Sequence, residues 1–252
     1  MYLAKTTLIK TFTPRLCRIS LAIIAGIGLG ACGMSSSKPA ANTPAAKPVF
    51  TVVALRPAPE ASEWITRYLD GVIPMAEKAG MKELHRFGVS RTLAGELKPT
   101  FTGMYWWPGN EAAQSVRQSD HYLKNLKPLR LQAWESYMSY DFDYAQLPAF
   151  TIDKTKNYTI SVAWKKTPEG FDEYFAATQG LRERLGAKIL WRNTPMAFES
   201  DNPTDTKPDL IALVEWPSTV EPDEYLAALY TDAYKTFVAE AFARVEWFEL
   251  GE

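Results

Sequence analysis

Two stretches of this chain lie 109 residues apart and align without a gap: "KPTFTGMYWWP" at 98–108 and "KPDLIALVEWP" at 207–217. Three more pairs follow in the same order. "GMKELHR" (80–86) matches "GAKILWR" (186–192) at Gly, Lys, Leu and Arg, "FTVVALR" (50–56) matches the pattern of "YTISVAW" (158–164), and "SDHY" (119–122) matches "TDAY" (231–234). The offsets of 106 to 112 residues drift only by loop-sized amounts. This is a tandem duplication of a unit of roughly 100 residues, with too few copies for a solenoid. Whatever one copy folds into, the chain contains twice.

The second copy is the easier to read. Tyr158, Ile160, Val162 and Trp164 alternate with Thr159, Ser161 and Ala163, the period of a strand. Thr167 and Pro168 then stand where an N-cap and a first helical residue belong. Phe171, Tyr174, Phe175, Thr178, Leu181 and Leu185 recur at helical spacing until Gly186 stops the run. Strands are predicted at 187–193 and 209–216, joined by the turn-rich loop "ESDNPTDTK", then a helix over 222–242 and a closing strand in "RVEWFEL". The first copy repeats the order: strand 50–56, helix 62–79, strands 83–90 and 99–106, helix 110–134, strand 137–144. Pro74 is expected to kink its first helix or end it early.

Strand-helix-strand-strand-helix-strand is the ferredoxin-like order, an antiparallel sheet with both helices on one face. Val52 to Leu55 and Leu210 to Val214 are apolar on both sides of their strands, so each sheet needs a second cover. Two such sheets in one chain can cover each other, with the helices outside. "FDEYFAATQGLRERLGAKILWRN", "LIALVEWPS" and "YLAALYTDAYKTFV" resemble the dimeric α/β-barrel superfamily, in which two separate chains build the barrel. The resemblance spans nearly all of 50–250. It implies an α+β fold in which two tandem βαββαβ repeats, 50–146 and 155–252, form that dimer within one chain, so the body is expected to be a monomer.

The first fifty residues address the chain. Lys5, Lys10, Arg15 and Arg18 precede an uncharged stretch, Ile19 to Ala31, which at thirteen residues is shorter than the roughly 20 needed to span a bilayer. It ends in Leu29-Gly30-Ala31-Cys32, which resembles the lipobox of bacterial lipoproteins. That resemblance implies a signal peptide over 1–31 and a diacylglycerol anchor on Cys32. Gly33, rather than Asp, after the cysteine implies the outer membrane, with the body facing the periplasm. Residues 33–49 are small, polar and proline-containing, the composition of a disordered tether. Without residues 1–31 the chain keeps 24 Lys and Arg against 29 Asp and Glu, a net charge of −5 that suits neither nucleic acid nor anionic lipid.

Little in the body advertises chemistry. It has no phosphate loop, no paired histidines at metal spacing and no serine-hydrolase elbow, so no cofactor or metal is expected and no catalytic residue is assigned. His121 falls opposite the apolar stripe of Ala112, Val116, Ser119, Leu123 and Leu126, toward solvent. His85 matches Trp191 in the second copy and is either a packing residue or a pocket wall. Arg86 and Arg192 are repeated, and either pair with carboxylates or meet an anionic ligand between the sheets. These three, His85, Arg86 and Arg192, are the candidate pocket. The strand tryptophans (Trp106, Trp107, Trp164, Trp191, Trp216 and Trp247) form either a core or the wall of a pocket for a flat ligand. Three functions stay open: an anchored protein that binds a small apolar or anionic ligand or an envelope partner, a cofactor-free oxygenase-like or haem-handling enzyme as the superfamily resemblance implies, or a purely structural protein. A cavity between helices and sheet with convergent polar groups favours an enzyme, the cavity without acid–base pairs a binding protein, and neither a structural role.

Overall fold

Among the described residues nine strands run in one hydrogen-bonded sheet, and their order shows how the two repeats are joined. The computed structural model describes residues 47–146 and 149–251; the expected signal, Cys32 and the expected tether up to residue 46 lie outside the described residues. In repeat 1 the elements are β1 (Val49–Pro57), α1 (Ser62–Lys78), β2 (Lys82–Ala94), β3 (Phe101–Trp107), α2 (Asn110–Arg117), α3 (Lys127–Ala133) and β4 (Trp134–Asp143). In repeat 2 they are β5 (Asn157–Lys165), α4 (Pro168–Ala177), α5 (Gln179–Arg184), β6 (Lys188–Asn193), β7 (Ala197–Ser200), β8 (Leu210–Trp216), α6 (Val220–Leu229), α7 (Lys235–Ala241) and β9 (Phe242–Gly251). Among the described residues no helix is long and apolar enough to cross a membrane.

The sheet order β6-β8-β5-β9-β2-β3-β1-β4-β7 is two ferredoxin-like sheets in series, all neighbours antiparallel. The link is a strand exchange. Lys82 to Gly88 of β2 pair with β3 of their own repeat, and Gly88 to Ala94 pair with β9 of the other. At the 106-residue offset the same strand of repeat 2 is 188–200, and it makes the mirror-image exchange: β6 pairs with β8 at home and β7 with β4 of repeat 1. It is broken at Thr194-Pro195-Met196, where proline lacks the N–H a ladder needs. The ring of strands therefore closes through those three residues, and the chain forms a complete α/β barrel.

This exchange corrects two expectations. The strand predicted at 83–90 extends to Ala94, and the loop "ESDNPTDTK" begins inside β7. Both extensions are held by the other repeat, which no local pattern reports. Ion pairs clamp them. Arg91 of β2 meets Glu249 at 2.7 Å and Asp223 at 2.9 Å, while Arg130 of α3 meets Glu199 at 2.6 Å and also Asp201.

Side-chain alternation then assigns the faces. Phe50, Val52 and Ala54 of β1 and Tyr158, Ile160, Val162 and Trp164 of β5 point into the barrel, where Met104, Tyr140, Trp191, Leu213 and Phe248 join them. Thr51, Val53 and Leu55, like Thr159, Ser161 and Ala163, point outward to the helices. The barrel interior is thus an aromatic core, and each sheet carries a second core beneath its own helices.

The helices depart from expectation in three places. α1 runs through Pro74 to Lys78 rather than ending early. The helix expected over 110–134 is α2 and α3 joined by a π-helical turn, Tyr122–Leu126. A π turn adds a residue and rotates the following face. Leu126 is buried as expected, but Tyr122 is buried as well and Leu123, expected inside, is exposed. In repeat 2 the long helix over 222–242 breaks at residues 230–234 into α6 and α7. The start of α4 is as predicted, Thr167 accepting from the Gly170 N–H at 3.0 Å.

Candidate functional site

Each sheet and its helices enclose a small cavity, and the duplication places the two at equivalent positions. In repeat 2 the cavity has a volume of about 110 Å³, with walls that include Ala163, Ala212, Val214, Trp216, Leu229 and Trp247. Its polar end is built by three helices. Tyr174 of α4 and Tyr225 of α6 meet hydroxyl to hydroxyl at 2.9 Å. Arg182 of α5 lies 3.5 Å from the Tyr225 oxygen. The break between α4 and α5 positions that arginine, which donates to the Phe175 carbonyl at 2.8 Å and to the Thr178 hydroxyl. A helix end leaves carbonyls without intrahelical partners, and Arg182 takes one of them. Burial, followed by the neighbouring Tyr225, holds the Tyr174 phenol well above its usual range, so it stays protonated and can donate.

Repeat 1 encloses about 100 Å³ between α1, α2, the π turn and the sheet, lined by Tyr68, Tyr105, Trp107, Arg117, Tyr137 and Ser139 among others. Tyr68 is the counterpart of Tyr174 and is buried beside Tyr122 and Tyr137. Burial also raises the Tyr68 phenol well above its ordinary value and pushes that of Tyr105 up to about 12. Arg130 donates to the Tyr122 oxygen at 2.9 Å, so here too an arginine caps a tyrosine. The charges differ, however. Arg130 is ion-paired with both Glu199 and Asp201, whereas every hydrogen bond of Arg182 goes to a neutral acceptor.

The residues singled out in sequence are distributed as follows. His85 and Arg86 line an open cavity of about 610 Å³ at one end of the barrel, with Phe87, Lys154, Lys156 and Tyr158. Burial lowers the His85 imidazole below its ordinary value, and the ring packs against Phe87 and Phe150. Arg86 is paired with Glu83 through a bond of 3.2 Å from Nε and a shorter one from its terminal nitrogen. Arg192 does not join them, which corrects the grouping of the three. Arg86 and Arg192 are symmetry counterparts on β2 and β6, four strands apart around the ring. Arg192 instead lies over the Phe175 ring, 4.4 Å from its centroid, and Arg182 approaches the same ring at 5.3 Å. His121 is exposed and lies 3.2 Å from the Asn125 side chain. Of the strand tryptophans, Trp107, Trp164, Trp191, Trp216 and Trp247 are buried, and Trp107, Trp216 and Trp247 line the sheet–helix cavities.

Sequence reasoning passed over Tyr174, Tyr225 and Arg182. One signal was present, since Tyr68 and Tyr174 stand at the same offset as the repeated arginines. Among the described residues no histidine, cysteine or carboxylate lines either sheet–helix cavity, and no group of three or more such residues is placed to hold a metal.

No family model matches the chain, and no curated protein matches it in sequence. Among solved structures, the chain is similar to an anthrone oxidase-like protein, at 12% identity and a TM-score of 0.48 over 82% of this chain and 92% of that one. It is also similar to a variant of chlorite dismutase from Candidatus Nitrospira defluvii, at 10% identity and a TM-score of 0.46 over 81% and 92% of the two chains. A protein of unknown function from Rhodopseudomonas palustris aligns at 16% identity with a TM-score of 0.36, over 42% of this chain and 85% of that one.

Proposed function

We propose that this chain is a lipid-anchored protein of the outer membrane whose second repeat binds a small, single-ring aromatic molecule carrying an anionic oxygen. One observation carries the reading. Arg182 stands at the polar end of an aromatic-walled cavity with only neutral partners, while its functional counterpart in repeat 1, Arg130, is neutralised by two carboxylates. A half-buried cation without a counter-ion favours an anion brought by a ligand. Arg192, 4.4 Å from the centroid of the same Phe175 ring, adds to the positive field.

Size sets the ligand class. A cavity of 110 Å³ is of the order of the engineered cavity of ~150 Å³ that takes up benzene, and well short of the ~300–1,000 Å³ of drug-sized sites. The ring would lie among Trp216, Trp247 and Val214, and its oxygen would meet Arg182 and a tyrosine hydroxyl. Uptake of benzoate by the wild-type body, and its loss in Arg182→Gln, tests this. The anchor rests on Cys32 and its lipobox; labelling with a fatty-acid analogue that is lost in Cys32→Ala supports it, and equal labelling of both refutes it.

Oxygenase-like chemistry is the second reading, and the same polar end favours it. Phenol donors and a guanidinium fixed around one oxygen would stabilise an enolate or phenolate as negative charge develops there. With no histidine or carboxylate among the described lining residues, the substrate would have to ionise without a protein base from those side chains. Oxygen consumption with an easily ionised phenol separates turnover from simple binding.

A further inference from the structure

Trp107 and Trp216 are the same residue of the two repeats, yet their indole N–H groups differ in fate. Trp216 donates to Thr159 Oγ1 at 2.8 Å. Thr51 holds the equivalent place in repeat 1, opposite Tyr105 as Thr159 is opposite Val214. Its hydroxyl, however, donates to Asp141 Oδ1 at 2.6 Å and receives no bond from Trp107, and the Asp141 carboxylate also takes the Arg117 guanidinium. Trp107, 5% exposed, is left with no acceptor for its N–H. Two residues along β4 from Asp141 and on the same face, Ser139 is 2% exposed, and its hydroxyl is also without a partner. Both residues line the 100 Å³ cavity.

A buried donor left unsatisfied costs about 1–3 kcal/mol, and native proteins seldom leave one so. Repeat 1 has moreover been reshaped at this spot. Tyr105 stands where repeat 2 has Val214, and its ring folds over Gly103, where an added Cβ would collide with the phenol oxygen. The duplicated alanine, Ala212, has no such ring above it, because Val214 is too short to fold back. We infer that the repeat 1 cavity is a second ligand site, which takes a small neutral molecule carrying a carbonyl oxygen.

The ligand's chemistry follows from the lining. Asp141 neutralises Arg117, so the cavity offers no unmatched charge, in contrast to repeat 2. Val53, Leu55, Val72 and Ile73 supply an apolar wall. The indole N–H can only donate, and a carbonyl oxygen accepts without needing a donor in return. A ketone, ester or amide of about one ring in size fits both the volume and the donors. This site is independent of the one proposed in repeat 2.

The test uses the body labelled with ¹⁵N at its tryptophan indoles, the Trp107 and Trp216 signals being assigned from Trp107→Phe and Trp216→Phe. Titration with cyclopentanone should shift the Trp107 N–H saturably and leave Trp216 in place. Ser139→Ala, which removes only a hydroxyl, should weaken the binding about fivefold, the value of one hydrogen bond. An unmoved Trp107 signal would mean that water alone satisfies the two donors and would overturn the proposal. So would equal shifts at both tryptophans, or an affinity indifferent to Ser139→Ala. None of these three results bears on benzoate binding in repeat 2.

Discussion

Tyr174 and Tyr225 face each other across the gap between α4 and α6 with their oxygens 2.9 Å apart, so one hydroxyl of the pair donates to the other and the second keeps its proton for a further acceptor. The pair is buried in the second repeat's core, the Tyr225 ring beside Trp216 and Trp247 and the Tyr174 ring against Phe175 and Phe242. Tyr174→Phe removes one side of this bond and should lower stability by about 0.5–1.5 kcal/mol. Tyr225→Phe should cost a similar amount and weaken benzoate binding more, because the Tyr225 oxygen is the one nearest Arg182. Chemical denaturation of both variants, paired with titration, checks the order.

Burial raises the phenols of Tyr68, Tyr105, Tyr122, Tyr137, Tyr140, Tyr158 and Tyr174. A pKa that is higher in the folded chain than in the unfolded one gives stability that is complete below the unfolded value, near 10, and is lost as pH climbs toward the folded value. The body should therefore hold its stability up to about pH 10 and lose it steeply above. Near-ultraviolet absorbance should show these phenols ionising together with unfolding, in one cooperative step. Gradual ionisation of all the tyrosines in a still-folded chain would be the contrary result.

The two arginines that cap the tyrosines should differ in what their neutralisation costs. Arg130, 1% exposed, joins α3 to two carboxylates of the exchanged strand region. Arg130→Met leaves those charges unpaired and should cost about 3–5 kcal/mol. Arg182→Met abandons only neutral acceptors and should cost less, about 1.5–3 kcal/mol. Thermal melts of the two variants compare them directly.

Closure of the ring within one chain predicts that residues 47–252 form a monomer. β2 and the β6–β7 strand each pair with both repeats, so every barrel strand already has its neighbours. Light scattering should give the mass of one chain at all concentrations. A stable dimer would mean that exchange takes place between molecules.

The architecture was legible because it is written twice. Four aligned segments and period-two strands such as Tyr158–Trp164 fix the element order, and apolar residues on both faces of Val52–Leu55 require two sheets back to back. What the sequence hides is non-local. Glu199 and Ser200 read as loop because their partners, Ser139 and Met138, are sixty residues upstream in the other repeat. The π turn at Tyr122–Leu126 is equally silent in a helical wheel, which assumes one period throughout. The site was obscured by residue type. Histidines and repeated arginines drew attention, whereas Tyr174 was counted with the apolar face, and only its distance to Tyr225 gives it a polar role.

The most direct test of the central claim is a calorimetric titration of benzoate into the wild-type body and into Arg182→Gln. One molecule should bind per chain in the wild type. The variant should bind at least about tenfold more weakly, since a hydrogen bond to a charged group contributes about 1.5–3 kcal/mol and 1.4 kcal/mol is a factor of ten. Benzoate that fails to bind the wild type, or binds Arg182→Gln equally well, would contradict an anion site at the Tyr174–Tyr225–Arg182 end of the second repeat.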